Sequence, residues 1–248
     1  MIFFTTYNKK LFDEYAHRLI ETYQSTQQTL PMYVFVEDNI KDFPKVPNVT
    51  YVNLFLKEPE CRRFIERHKG LIPGHYLKDA VKFCYKVFAQ SAAREFGDKL
   101  YYVDSDCVFV KQIPDTWFKE CLSDDTFLTF YDRPGSEPAN YTETGFLAFN
   151  NTKKISDDFF NTYKDWYIKD RVYKLKFFTD CHTLDATRLK FRDNPDYTEK
   201  KLGDGELGHI MARDKFINSY IDHRKGPRKA QEHSPEWLQR RGLAKGYG

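Results

Sequence analysis

The sequence predicts an α/β protein with a mainly parallel mixed sheet flanked by helices in a single domain. Short apolar runs alternate with helical patterns through the first half of the chain, and this alternation is typical of βαβ units. One run, residues 100–103, is apolar throughout, which is typical of a strand buried on both faces of a parallel sheet. The 248 residues are enough for one large domain or two small ones, and we expect one.

Apolar periodicity predicts the individual elements. The predicted strands are residues 1–6, 32–36, 49–54, 100–103, 127–131 and 145–150. The predicted helices are residues 11–24, 58–69, 75–96, 156–172 and 179–190. The stretch after residue 223 shows little periodicity.

The composition indicates a globular protein. Hydrophobic residues make up 41% and charged residues 30% of the chain, which excludes disorder as a description of the whole. The five cysteines form no C-x-x-C pair, so we expect reduced, buried thiols. The first residues lack a basic segment, and no later stretch approaches the ~20 apolar residues of a membrane span, so we expect a cytoplasmic location.

The charge is unevenly distributed. The net charge is only +3, yet residues 224–248 carry seven Lys or Arg and two Glu. We therefore expect a catalytic domain over residues 1–230 and a basic C-terminal tail over 231–248. A basic tail attracts nucleic acid or an acidic surface, but many such tails are merely solvated, and both alternatives stay open.

The motif Asp104-Ser105-Asp106 follows the buried strand 100–103. Open α/β sheets bind their ligands at the carboxyl edge, where this motif is expected to lie. Two close carboxylates repel each other unless a cation neutralises them, and a hard divalent cation with substrate phosphates does so. The motif therefore predicts a cation site; the alternative is a loop whose acids cap a helix.

A second motif, His-x-x-Gly-x-x-Lys, lies late in the chain at His223, Gly226 and Lys229. A lone histidine is more often structural, and it is the spacing that favours a functional role. Together with Asp104-Ser105-Asp106 and the Gly-Phe-Leu-Ala-Phe-Asn run at 145–150, the motif resembles the GT-A glycosyltransferases. The resemblance is closest to the group of glycogenin and the bacterial lipopolysaccharide galactosyltransferases.

This resemblance implies a Rossmann-like GT-A fold and a metal-dependent hexosyltransferase. Asp104, Asp106 and His223 are then the ligands of Mn²⁺ or Mg²⁺, Lys229 contacts the donor diphosphate, and Ser105 belongs to the same diphosphate site. Gly226 is expected to let the backbone approach the phosphates. The donor is expected to be a nucleotide sugar, most simply a UDP-sugar.

The resemblance also implies an acceptor hydroxyl, for example on a glycan. Modified DNA is a second candidate acceptor, which only the charge of the basic tail suggests. The His motif favours retention of the anomeric configuration.

The end of the first strand and one helix supply further donor-site candidates. Thr5, Thr6 and Tyr7 resemble the segment that holds uridine and ribose in the family. Lys82 and Lys86 lie on the helix where the family often places a basic residue facing the donor, and Lys86 fits the spacing better.

The segment 179–185 resembles the D-Q-D-x-L-N stretch of the family, but only Asp180 and Leu184 match it. We expect Asp180 to orient hydroxyls or to act as a general base. The alternative is a carboxylate at a helix N-terminus, and the departure leaves the stereochemistry open. The acceptor is expected beside the loop 132–146, where Thr142, Glu143 and Thr144 offer polar groups.

Two other classes of protein compete with this interpretation. Residues 100–108 also fit the start of haloacid-dehalogenase-like phosphatases, with Asp104 as nucleophile and Asp106 as acid/base, but Gly208 stands where that class needs an acid. A nucleic-acid-binding module would use the basic tail and exposed aromatic residues, with salt-sensitive binding that needs no metal.

Overall fold

A computed structural model describes residues 1–133, 142–203 and 209–243. Its strands are β1 (Ile2–Thr6), β2 (Met32–Val36), β3 (Val49–Asn53), β4 (Lys99–Val103), β5 (Cys107–Phe109), β6 (Leu128–Tyr131), β7 (Glu143–Asn150), β8 (Glu199–Leu202) and β9 (Ile221–His223). Its α-helices are α1 (Lys9–Leu11), α2 (His17–Ser25), α3 (Leu54–Lys57), α4 (Pro59–His68), α5 (Ala80–Ala92), α6 (Asp115–Cys121), α7 (Ser156–Ile168), α8 (Asp180–Phe191), α9 (Ile210–Arg213), α10 (Lys215–Asn218) and α11 (Pro235–Arg240).

Seven of these strands form one sheet in the order β3-β2-β1-β4-β7-β6-β8. Strands β3, β2, β1 and β4 are parallel, β7 runs antiparallel to both its neighbours, and β8 pairs parallel with β6. The predicted mainly parallel mixed sheet in one α/β domain is confirmed. Strands β5 and β9 form a separate antiparallel pair.

The central strands are rich in apolar residues because both faces of the sheet are buried. In β1, Phe3 packs into the core on one face and Phe4 into the core on the other. Tyr101 and Tyr102 divide in the same way on β4. The carboxyl ends of β1 and β4 therefore lie side by side between two packed layers.

The longest predicted helix, 75–96, is shorter in the structure. Residues Tyr76–Lys78 form a 3₁₀ turn, and α5 begins only at Ala80. The Asp79 side chain accepts a hydrogen bond from the Lys82 amide and caps the helix at this point. Helix α5 ends at Ala92, and a 3₁₀ turn, Ala93–Glu95, follows.

The described part of the basic tail packs against the domain. The Ser234 hydroxyl donates a hydrogen bond to buried Asp222 at 2.5 Å, and the Trp237 indole donates to the Asn218 carbonyl at 3.2 Å. The proposed boundary at residue 230 and the partner of the tail stay predictions. No helix in the described ranges is both long and apolar enough to cross a membrane.

Candidate active site

A cleft of about 460 Å³ opens at the carboxyl ends of β1 and β4. Most of the residues that the sequence predicts for a donor site lie on its lining. These are Thr6, Tyr7, Lys82, Lys86, Asp104, Ser105, Asp106 and Lys229. Four predicted residues, Thr5, Asp180, His223 and Gly226, are not part of the lining.

The β5–β9 pair joins the two motifs. Cys107 stands opposite His223 in the ladder, and the Arg224 amide donates to the Asp106 carbonyl at 3.1 Å. The Asp104 amide donates to the Gly145 carbonyl at 2.8 Å, so the turn after β4 is also tied to β7. Backbone hydrogen bonds thus bring His223 to the acidic motif across a long separation in sequence.

Asp104 and Asp106 line the cleft, and both side chains approach His223, whose ring is buried beneath that lining. His223 Nε2 lies 3.0 Å from Asp106 Oδ1 and 3.9 Å from Asp104 Oδ2. Asp106 Oδ1 and His223 Nε2 are buried with only these ion-pair contacts, and His223 Nδ1 is buried without a hydrogen-bond partner among the described residues. Orphaned buried polar atoms are costly, and two carboxylates with one imidazole are a donor set that suits Mn²⁺ or Mg²⁺. The residues present therefore fit a divalent cation.

Opposite charges favour the ionised forms of Asp106 and His223. Burial alone would raise the pKa of Asp106, but His223 and Lys229 hold it well below its usual range. Burial opposes the charged form of His223, yet the neighbouring carboxylates, Asp106 first, raise its pKa. The carboxylate is thus ready for a cation, which would take the place of the imidazolium proton.

Cys107 lies beside this group, and the sequence predicts for it only a reduced, buried thiol. One ligand atom from each of Cys107, Asp106 and His223 falls within 4.8 Å of the others. Burial raises the pKa of the Cys107 thiol well above its usual value, so the sulfur stays protonated. Because metals bind the thiolate and hard cations prefer oxygen, we assign Cys107 to the core.

Lys229 reaches the motif from the other side. Its ammonium lies 3.3 Å from Asp106 Oδ2, donates to the Tyr15 hydroxyl at 3.2 Å, and stands 4.3 Å from the centroid of the Tyr15 ring. Tyr15 lies on the apolar side of the predicted helix 11–24, where the periodicity indicates only a core position. No signal in the sequence distinguishes it.

Gly226 has a backbone role. Its φ is +68°, in the left-handed region that favours glycine, and an added Cβ would meet no atom within 4 Å. It shapes the turn that leads from His223 to Lys229.

Lys86 joins two carboxylates. Its ammonium lies 2.8 Å from Asp104 Oδ1 and 2.8 Å from Asp180 Oδ2. The Tyr102 hydroxyl also donates to Asp104, and the Thr144 hydroxyl donates to Asp180. Asp180 is only 1% exposed, so it can influence a molecule in the cleft only through Lys86 or Thr144.

The end of β1 contributes unevenly to the cleft. The Thr6 hydroxyl donates to the Phe35 carbonyl at 2.8 Å and lies on the lining, as does Tyr7, whose hydroxyl contacts that of Tyr51. Thr5 is fully buried inside the sheet. A period of two along a strand sends neighbouring side chains to opposite faces, which separates Thr5 from Thr6.

The polar residues predicted near the acceptor lie at the start of β7 or directly before it and are buried. Thr142 bonds Asp185, and Glu143 Oε2 lies 2.9 Å from Lys225 and 3.3 Å from Arg133. Burial would raise the pKa of Glu143, but Lys225 and the other cations hold it well below its usual range. Most of the predicted acceptor loop, residues 134–141, lies outside the described residues.

His209 packs on His223, with ring centroids 5.0 Å apart. Burial, reinforced by His223, lowers the pKa of His209 to about 3. Because the folded-state pKa lies below the unfolded value, the unfolded state binds the proton first, and stability is lost as pH falls from about 6.5 toward 3.

His209→Phe keeps a ring at this position and removes the titration. Between pH 7 and pH 5 we expect this variant to lose about 2 kcal/mol less stability than the parent. Urea unfolding at both pH values measures the difference, and equal losses would show that His209 is not buried as a neutral imidazole.

Comparison with known structures identifies the fold. No family model matches the chain, and no curated protein matches it. An active-site mutant of LgtC superposes with a TM-score of 0.51 at 12% identity, covering 92% of this chain and 88% of LgtC. The chain has the GT-A glycosyltransferase fold.

Two further glycosyltransferase structures are similar at lower scores. GlyE of Streptococcus pneumoniae TIGR4 gives a TM-score of 0.48 at 16% identity over 81% of this chain. The chain spans only 45% of the length of GlyE. Mouse xyloside xylosyltransferase 1 gives a TM-score of 0.49 at 10% identity, with coverage of 81% and 84%.

The GT-A fold explains where the cleft lies. Chain order runs from β1 through β2 to β3 on one side and passes to β4 on the other, so the direction reverses between β1 and β4. Ligands of open α/β sheets bind in the crevice at such a switch point. The Asp104-Ser105-Asp106 turn follows β4 directly and lines the cleft there.

Proposed function

We propose that this chain is a metal-dependent glycosyltransferase that moves a sugar from a nucleotide sugar, a UDP-sugar, to an acceptor hydroxyl. The observation that carries the proposal is the approach of both Asp104 and Asp106 to the buried His223 imidazole, with Asp106 Oδ1 and His223 Nε2 only 3.0 Å apart. The GT-A fold, which the chain shares with LgtC, supports it.

Asp104, Asp106 and His223 would hold Mn²⁺ or Mg²⁺. The bound cation would neutralise the donor diphosphate and so favour its departure. Lys229 lies beside Asp106 and adds a positive charge for the phosphate oxygens, while Tyr15 holds its ammonium in place.

The nucleoside is assigned to the part of the cleft formed by Thr6 and Tyr7. Asn8 and Glu37 line the same part, and the Asn8 amide donates to Glu37 Oε1 at 3.0 Å. These polar groups offer donors and acceptors to a base and a ribose, and the Tyr7 ring offers an apolar face.

In the transfer step, the bond between the anomeric carbon and the diphosphate oxygen breaks, and the acceptor oxygen bonds to that carbon and loses its proton. Lys86 lines the cleft, and its ammonium lies beside Asp104. We therefore assign Lys86 to contact with the leaving phosphate or the sugar. Asp180 and Thr144 position Lys86 from below.

The His-x-x-Gly-x-x-Lys motif supports retention of the anomeric configuration, and NMR of the product anomer tests it.

A thermal-shift screen of nucleotide sugars tests the function. At 100 times Kd, a ligand that binds only the native state adds about 2.7 kcal/mol, which raises Tm by roughly 5–10 °C for a chain of this size. We expect UDP-sugars to produce this shift with Mn²⁺ and to lose it with EDTA. A ligand that remains stabilising in EDTA, or metal-dependent phosphate release without glycosyl transfer, would contradict the proposal.

A further inference from the structure

One surface of the protein combines exposed apolar side chains with positive charge. Within the described residues, three of the eight exposed large hydrophobic side chains lie within six positions: Leu71 and Tyr76 are each 61% exposed and Ile72 is 94% exposed. Isolated exposed hydrophobic residues are normal, but a cluster marks an interaction site. We call the surface formed by residues 69–78 and 171–178 the apolar–basic patch.

Two contacts hold the segments of the apolar–basic patch together. The Phe178 amide donates to the Leu77 carbonyl at 2.8 Å. At the other end, the Tyr173 ring packs on His68, directly before Lys69, with centroids 5.0 Å apart. The two segments therefore form one continuous surface.

The charge of this surface has a single sign. Residues 69–78 and 171–178 contain no Asp or Glu, and all of their Lys and Arg side chains are exposed. Two acids flank these segments in sequence: Asp170 is paired with Arg67 and His68, and Asp79 caps the start of α5. The basic residues of the patch are Lys69, Lys78, Arg171, Lys174 and Lys176.

This combination fits an anionic bilayer better than other partners. Lysine is depleted at protein–protein interfaces, whereas lysines around protruding aliphatic side chains are typical of membrane-surface binding. A nucleic acid would use the charge but would leave Leu71 and Ile72 without a role. Tyr76 has the amphipathic ring that is enriched at the level of lipid headgroups.

We propose that the apolar–basic patch docks the protein on an anionic lipid bilayer. Leu71 and Ile72 insert among the headgroups and upper acyl chains, and the basic side chains pair with anionic lipids. The patch leads directly into α5, whose Lys82 and Phe83 line the cleft. Docking would therefore hold the cleft close to the lipid surface.

Co-sedimentation of the full chain with sucrose-loaded vesicles tests the proposal without any sugar substrate, so its outcome is independent of the proposed function. We expect binding to phosphatidylcholine vesicles that contain phosphatidylglycerol and none to phosphatidylcholine alone. Leu71→Ser with Ile72→Ser should weaken binding at least about tenfold because two aliphatic side chains are lost. Lys69→Gln and Lys174→Gln should each weaken it roughly fivefold.

Matched variants elsewhere on the surface serve as controls. Leu189 is as exposed as Leu71, and Lys119 is exposed on α6, so Leu189→Ser and Lys119→Gln should leave vesicle binding unchanged. Failure to bind either kind of vesicle would overturn the proposal, as would unchanged binding by the Leu71 and Ile72 double variant. Duplex DNA that displaces the vesicles and binds that double variant with full strength would assign the surface to nucleic acid instead.

Discussion

Asp106→Asn is expected to abolish metal-dependent turnover of the nucleotide sugar, with kcat/KM at least about a hundredfold lower. Asparagine keeps the shape of the side chain but removes the charge that His223 and Lys229 face at 3.0 and 3.3 Å. The variant loses a cation ligand and also removes the carboxylate nearest to both positive groups. Donor hydrolysis with and without Mn²⁺ measures the loss, and Mn²⁺ titration followed by electron paramagnetic resonance measures the affinity directly.

Asp193→Asn is the matched control, because this side chain is 90% exposed and lies away from the cleft. It should retain parental turnover and Mn²⁺ affinity. Thermal unfolding of both variants separates a lost ligand from a lost fold. If Asp106→Asn stays folded, binds Mn²⁺ normally and turns over at near-parental rates, the assignment of the cation site is wrong.

Gly145→Ala is expected to lower the free energy of unfolding by about 1–3 kcal/mol, the usual cost of overpacking a core. A Cβ at this position would lie 2.7 Å from His223 Cε1 and 2.7 Å from Met211 Sδ. Both side chains are buried, so one of them must move. Displacement of the imidazole should also weaken Mn²⁺ binding, since ligand position determines affinity.

Urea unfolding and Mn²⁺ titration measure these two effects. Gly74→Ala is the control, because a Cβ there meets no atom within 4 Å and should change neither quantity appreciably. A folded Gly145→Ala protein with parental Mn²⁺ affinity would show that β7 does not determine the position of His223. Loss of stability without a change in Mn²⁺ affinity would mean that the added Cβ displaces the Met211 side chain and leaves the His223 ring in place.

The phosphatase alternative accounts for less of this geometry. It would make Asp104 a nucleophile, yet Lys86 and Tyr102 both engage Asp104 Oδ1. It also gives no role to His223, which lies against Asp106. The cleft and its charges are better explained by a nucleotide sugar and a cation.

The sequence by itself determined six of the seven strands of the main sheet and the position of the acidic motif, but it missed the polar edge strand β8. A fully apolar run is sufficient to identify β4 as a buried parallel strand, and the residues after such a strand lie at the carboxyl edge. Helix α5 was predicted too long, because an apolar period continues past the Asp79 cap that begins the helix. Strands β5 and β9 have three residues each, too few to show a period.

Only the tertiary structure decided how the site is assembled. The β5–β9 ladder brings His223 to Asp106, the missing side chain of Gly145 makes room for its ring, and Tyr15 holds Lys229. Burial of Asp180 beneath Lys86 was likewise invisible in the sequence. A local sequence pattern reflects which face of a segment is buried. These contacts join segments that are far apart in the chain, so they depend on how the whole domain packs.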